Sequence, residues 1–163
     1  MQSGSWAQIA LYSGSATGTL TRATCSVNQS DVAVPLPTAD TRAFSSGICA
    51  VAAPQAFTLS FACATGAKVS MTLTDSINPA NRFNTLRLSA DSTARRIGIQ
   101  LLNSTGLPVL FRADSATLGN QNQWIIGDSP NGVVQVPLTV VWYIRTVSAG
   151  KLKALATYNM SYQ

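Results

Sequence analysis

Apolar and polar side chains alternate with a period of two along much of this chain. The cleanest run is Phe57-Thr-Leu-Ser-Phe-Ala-Cys63, which sets Phe57, Leu59, Phe61 and Cys63 on one face. Such alternation describes a strand with one face in a core. Gly66 then offers a turn, and alternation resumes from Val69 through Met71 to Leu73, which predicts a hairpin with the first run. Upstream, residues 6–12, 19–27 and 31–36 read as strands, the last closed by Pro35 and Pro37. Residues 38–56 are rich in Ala, Ser and Pro and predict an irregular surface excursion. Downstream, residues 86–88 predict a short strand. Residues 97–101 predict a longer one, with Ile97, Ile99 and Leu101 inward and Gly98 allowing a close approach. A turn over 103–106 leads into 108–111. Residues 113–132 are polar and Gly/Asn-rich, with a lone Trp124, and residues 134–146 form the most apolar strand.

The last fourteen residues, beginning at Gly150, alternate again, with Ala154, Ala156, Tyr158, Met160 and Tyr162 on one face. No sequence follows from which a further strand could pair back, so this strand needs its second neighbour elsewhere in the chain or on another molecule. Eight or nine short strands with no helical period predict an all-β antiparallel sandwich.

A length of 163 residues suits one domain. Charged residues make up 10% and hydrophobic ones 46%, which excludes a disordered chain or a charged coiled coil. Eleven Lys or Arg face six Asp, with no Glu and no His. That composition leaves no Ser-His-Asp or Cys-His pair and no imidazole ligand, so an enzyme is not expected and no metal or cofactor is implied. The net charge of +5 is spread out, with Arg95-Arg96 the one adjacent basic pair, so neither nucleic-acid binding nor membrane insertion is expected. No window reaches the roughly 18 to 20 apolar residues of a membrane helix.

Cys25 and Cys63 each lie in a strand-like run, which suits a bridge between neighbouring strands and leaves Cys49 odd. Three buried reduced thiols are the alternative. The first residues have neither the basic nor the apolar region of a secretory signal. In an exported protein, Met1 would then mark a cut inside a longer gene or an added start.

Taken in order, several stretches resemble the pilin domains of bacterial chaperone-usher (type 1-like) fimbriae, most of all the C-terminal pilin domain of a two-domain tip adhesin. They are Cys25-Ser-Val-Asn-Gln-Ser-Asp-Val-Ala-Val-Pro-Leu36, Phe57–Cys63, Thr72-Leu-Thr-Asp75, Ser92-Thr-Ala-Arg-Arg-Ile-Gly-Ile-Gln-Leu101, Val136-Pro-Leu138, Tyr143, Gly150 and the penultimate Tyr162. The resemblance implies an incomplete immunoglobulin-like β-sandwich lacking its last strand, completed by a donor strand. It implies a disulfide between Cys25 and Cys63 and maturation in an oxidising periplasm. The donor groove would be lined by Ala156, Tyr158, Met160 and Tyr162, with Ile97, Ile99 and Leu101 beneath, while Gly150 and Gln163 would serve chaperone anchoring. The implied partners are a periplasmic chaperone, the outer-membrane usher and the next pilus subunit, and the destination is the fimbrium at the cell surface.

Residues 18–163 would then be the pilin domain, and residues 1–17 a linker, an N-terminal extension or the remnant of a preceding lectin domain through which a host receptor is bound. The leading expectation is a tip-adhesin pilin domain that anchors the adhesin to the pilus. An alternative is a minor or adaptor pilin with its own donor strand. A further alternative is a self-sufficient carbohydrate-binding sandwich that uses Trp124, Trp142 or Tyr143 as a stacking platform.

Overall fold

In a computed structural model of the chain, described here for residues 25–162 apart from positions 30, 48, 67, 116, 118 and 149, seven strands form. They are β1 (Cys25–Val27), β2 (Val51–Cys63), β3 (Lys68–Asp75), β4 (Arg95–Leu102), β5 (Trp124–Asp128), β6 (Gly132–Ser148) and β7 (Ala156–Tyr162). The strand expected over 6–12, most of the one over 19–27, and Gln163 lie outside the described residues.

All pairings are antiparallel, and the strands sort into two sheets, β1-β2-β6-β4 and β5-β3-β7. Each long strand presents an apolar face: Leu59, Phe61 and Cys63 from β2, Val69, Met71 and Leu73 from β3, and Val136, Leu138 and Val140 from β6. These faces, with Ile99 and Leu101 of β4, make one core between the sheets, in which Phe61, Val69, Met71 and Phe111 are fully buried. The arrangement is the antiparallel two-sheet sandwich that the periodicity predicts, and it is consistent with an immunoglobulin-like fold.

Five details differ from the sequence reading. Residues 57–63 and 69–73 do not form a hairpin: β2 pairs with β1 and β6, and β3 with β5 and β7. The turn through Gly66, at φ +98°, carries the chain from one sheet to the other. Two strands facing one core across the sandwich show the same alternation as two paired side by side, so periodicity alone does not separate them.

The excursion expected over 38–56 is irregular only up to position 50. Residues 51–56 already belong to β2 and pair with β6, and Pro54 is tolerated because the register shifts between Ala52 and Gln55. In the polar stretch 113–132, Trp124–Asp128 is a short edge strand. Conversely, residues 31–36 alternate in burial, with Val32, Val34 and Leu36 packed on the core, yet join no ladder. Residues 86–88, expected as a short strand, make only the isolated bridge Leu86↔Ile99, and Pro108 makes another to Leu102.

Two contacts tie the loop after β3 to the sandwich. The Asp75 carboxyl, fully buried at the end of β3, accepts hydrogen bonds from the Ile77 N–H at 3.0 Å, the Asn78 N–H at 3.1 Å, Asn81 Nδ2 at 2.8 Å and the Arg87 N–H at 2.9 Å. One side chain thus organises the loop that follows. Gly98 packs against the Thr85 side chain, which a Cβ there would overlap.

Candidate functional site

β7 has one strand neighbour, β3, among the described residues, with register from Val69↔Tyr162 to Asp75↔Ala156. In an antiparallel ladder, alternate residues point their N–H and C=O groups to opposite sides, so about half of those on β7 face away from β3. Among the described residues β1 is likewise the outer strand of its sheet, and pairs with β2 through Cys25↔Cys63, Ser26↔Ala62 and Val27↔Phe61. Of the four outer strands among the described residues, β1, β4, β5 and β7, it is β1 and β7 that share a flank, where phenols of β7 reach the β1 segment.

Side chains of β7 show how the two edges relate. Tyr158, Met160 and Tyr162 turn toward the core but stay half-buried, while Ala156 is exposed. The Tyr158 ring meets Phe61 edge-on with centroids 5.6 Å apart. Its hydroxyl donates to the Gln29 carbonyl at 3.3 Å, and the Tyr162 hydroxyl donates to the Cys25 carbonyl at 3.3 Å. Both phenols thus reach from the edge of β7 to the β1 segment. Burial pushes the pKa of each up. For Tyr158 the Asp31 carboxylate adds to that rise, and for Tyr162 the bond to Cys25 opposes it.

Cys25 and Cys63, opposed in the ladder, form the disulfide, which ties this short edge strand to β2. Cys49 is a free, exposed thiol that accepts a hydrogen bond from the Tyr143 hydroxyl at 3.1 Å.

The approach to β7 is held from the other side. The Lys151 carbonyl accepts from the Thr93 N–H at 2.8 Å and the Ala94 N–H at 3.0 Å, and the Lys151 N–H donates to Thr93 Oγ1 at 2.8 Å. The Lys153 N–H donates to Ser92 Oγ at 2.9 Å, and its carbonyl accepts from the Ser89 N–H at 2.8 Å. Gly150 sits so close to this segment that a Cβ would lie within 2.7 Å of the Ala94 Cα. Close packing is thus one structural reason for this glycine.

Of the groove residues expected from sequence, the structure brings Tyr158, Met160 and Tyr162 to the open flank. Ile97, Ile99 and Leu101 lie on β4, at the opposite edge of the four-stranded sheet from β1. There Ile99 and Leu101 belong to the buried core, and Ile97 lines a separate surface cleft. Val32, Val34 and Leu36, half-buried beside the core, were read from sequence as a strand rather than as part of a site; their i, i+2 spacing was the available signal. Trp124 and Trp142 lie in different sheets and build no common platform.

Comparison with known proteins agrees with this architecture. A model of the family described as fimbrial protein matches residues 15–163. The F17c-G fimbrial adhesin of Escherichia coli is 34% identical over 109 residues, a match that covers 64% of this chain and 32% of that adhesin. The chain thus spans about a third of the length of the curated relatives it matches. Among solved structures, a chain of a chaperone-usher pilus superimposes with a TM-score of 0.63 at 17% identity, covering 96% of this chain and 99% of that one. The CupB6 tip adhesin from Pseudomonas aeruginosa gives a TM-score of 0.56 at 17% identity, covering 69% of this chain and 30% of that one. With the family match extending over nearly all of its length and the fold shared with pilus subunits, the chain belongs to the fimbrial protein family.

Proposed function

We propose that this chain is the pilin domain of a fimbrial tip adhesin, and that a strand supplied by another polypeptide completes its sandwich along the free edge of β7. The observation that carries the reading is that β7 pairs on one side only among the described residues, with Tyr158, Met160 and Tyr162 half-buried beside it. An added strand satisfies the outward main-chain groups of β7 and removes those side chains from water, at about 25 cal/mol for each Å² of apolar surface covered. Ala156 continues this wall toward solvent. Ile99 and Leu101 form buried floor on the far sheet, and Ile97 lies beyond it. A periplasmic chaperone occupies the edge first, with Gln163 and the Gly150 region as its anchoring points, and the next pilus subunit replaces it at the usher. The domain then serves adhesion at the cell surface as a structural anchor, without catalysis, and a host receptor is bound through a separate lectin domain.

The F17 relatives, which are adhesins about three times as long as the matched region, favour the tip position. The match over the whole length of a pilus chain favours a second reading as a minor or adaptor pilin. The gene sequence encoding whatever precedes residue 1 separates the two, a lectin-like domain supporting the first and a signal peptide the second.

Strand addition is tested by hydrogen exchange and thermal unfolding of the chain with and without a synthetic peptide of alternating apolar residues. The peptide is expected to raise the unfolding midpoint and to protect the outward amides of β7. Reversible unfolding of the peptide-free monomer with ordinary stability, and no new protection, would overturn the reading.

A further inference from the structure

The loop after β3 and the start of β4 enclose a cleft of about 360 Å³, within the size range of small-ligand sites. Asn78, Phe83, Arg87, Arg96, Ile97 and Tyr143 are on its wall. A second concavity of about 420 Å³ extends toward Ala94 and Arg95 and shares Arg87, Leu88 and Arg96 with the first. Arg87 and Arg96 therefore line both concavities. No hydrogen bond or ion pair from either guanidinium, or from the Asn78 side-chain amide, is made to a described residue.

Local backbone places Arg96 there. The register between β4 and β6 shifts between Arg95 and Ile97, and Arg96 adopts φ +57°, a conformation uncommon for a residue with a side chain. A bulge of this kind re-aims the side chain it carries. Phe83 leaves 76% of its surface exposed on the same wall. Nearby acids are engaged elsewhere: Asp75 accepts four hydrogen bonds beneath the loop, and Asp91 accepts one from Ser89 Oγ.

We propose that this cleft binds a carboxylated sugar. Paired guanidiniums recognise a carboxylate by forked hydrogen bonds, exposed aromatic rings accept the apolar face of a sugar ring, and the free amide of Asn78 serves its hydroxyls. A nucleic acid would call for a longer basic track than two arginines. The site is separate from the β7 edge and does not depend on strand addition.

The test titrates the purified chain, with any chaperone or donor peptide that accompanies it, against one oligosaccharide in neutral and uronate forms, and against a nucleoside monophosphate and a glutamate-rich peptide. The uronate form should bind at least tenfold more tightly than the neutral form and than the nucleotide or the peptide. Arg87→Ala and Phe83→Ala should each weaken it about tenfold, and Lys68→Ala, which removes the same charge elsewhere, should not. Arg96→Gly, which suits the left-handed backbone, should weaken binding as much without lowering the unfolding midpoint. Equal binding of neutral and uronate forms, equal or better binding of nucleotide or peptide, or indifference to Arg87→Ala and Arg96→Gly would overturn the proposal.

Discussion

Opening the Cys25–Cys63 bridge should release β1, the shortest strand among the described residues and one wall of the flank beside β7. The bridge joins residues 38 apart in sequence, and the loop-closure entropy it removes from the unfolded chain corresponds to about 4 kcal/mol. A domain of this size is stable by only about 5 to 15 kcal/mol, so the loss is a large share. Three ladder pairs remain to hold β1, helped by the bonds from Tyr158 and Tyr162. The perturbation is the double substitution Cys25→Ser with Cys63→Ser in a Cys49→Ser background, because the exposed Cys49 thiol could otherwise attack the bridge. Urea unfolding of this variant and of Cys49→Ser, both saturated with the same donor peptide, should give midpoints that differ by about 3 to 4 kcal/mol after multiplication by the common slope. Exchange protection should be lost first at β1. A difference below about 1 kcal/mol would show that the unfolded chain is not loosened as the loop-closure argument requires.

Asp75→Ala should destabilise by about 3 kcal/mol or more in the same urea assay, because four buried or half-buried donors lose their common acceptor. Gly150→Ala should cost about 1 to 3 kcal/mol and increase amide exchange at Thr93 and Ala94, since its Cβ collides with the Ala94 backbone. The raised pKa values of Tyr158 and Tyr162 mean that the folded chain keeps these protons longer than the unfolded one. Their stabilisation is therefore full below about pH 10 and falls as pH rises from there through the folded pKa, and urea midpoints of Tyr158→Phe should show a shallower alkaline decline.

Some of this protein could be read directly from residue order. Alternation at Leu59, Phe61 and Cys63, at Val69, Met71 and Leu73, and again at Tyr158, Met160 and Tyr162 marks strands with one buried face, because the side-chain period of a strand is fixed by backbone geometry. The same runs were compatible with Cys25 facing Cys63, which the β1–β2 register then placed opposite each other. Other features were not legible. Facing sheets and paired strands leave the same local pattern, so a β2–β3 hairpin is not separable from two facing strands, and β5 is hidden because Trp124, Ile125 and Ile126 are consecutive rather than alternating apolar residues inside a polar stretch. Burial of Asp75 depends on donors as far along the chain as Arg87, a convergence that no spacing announces.

Residue order alone establishes much of the strand content and the apolar faces, that of β7 included, all consequences of local backbone periodicity. Which sheet each strand joins, that β7 shares its flank with β1 rather than with β4, and that Arg87, Arg96 and Phe83 line one cleft are settled only by the folded arrangement. Those outcomes depend on which distant segments meet, and distance along the chain carries no record of that.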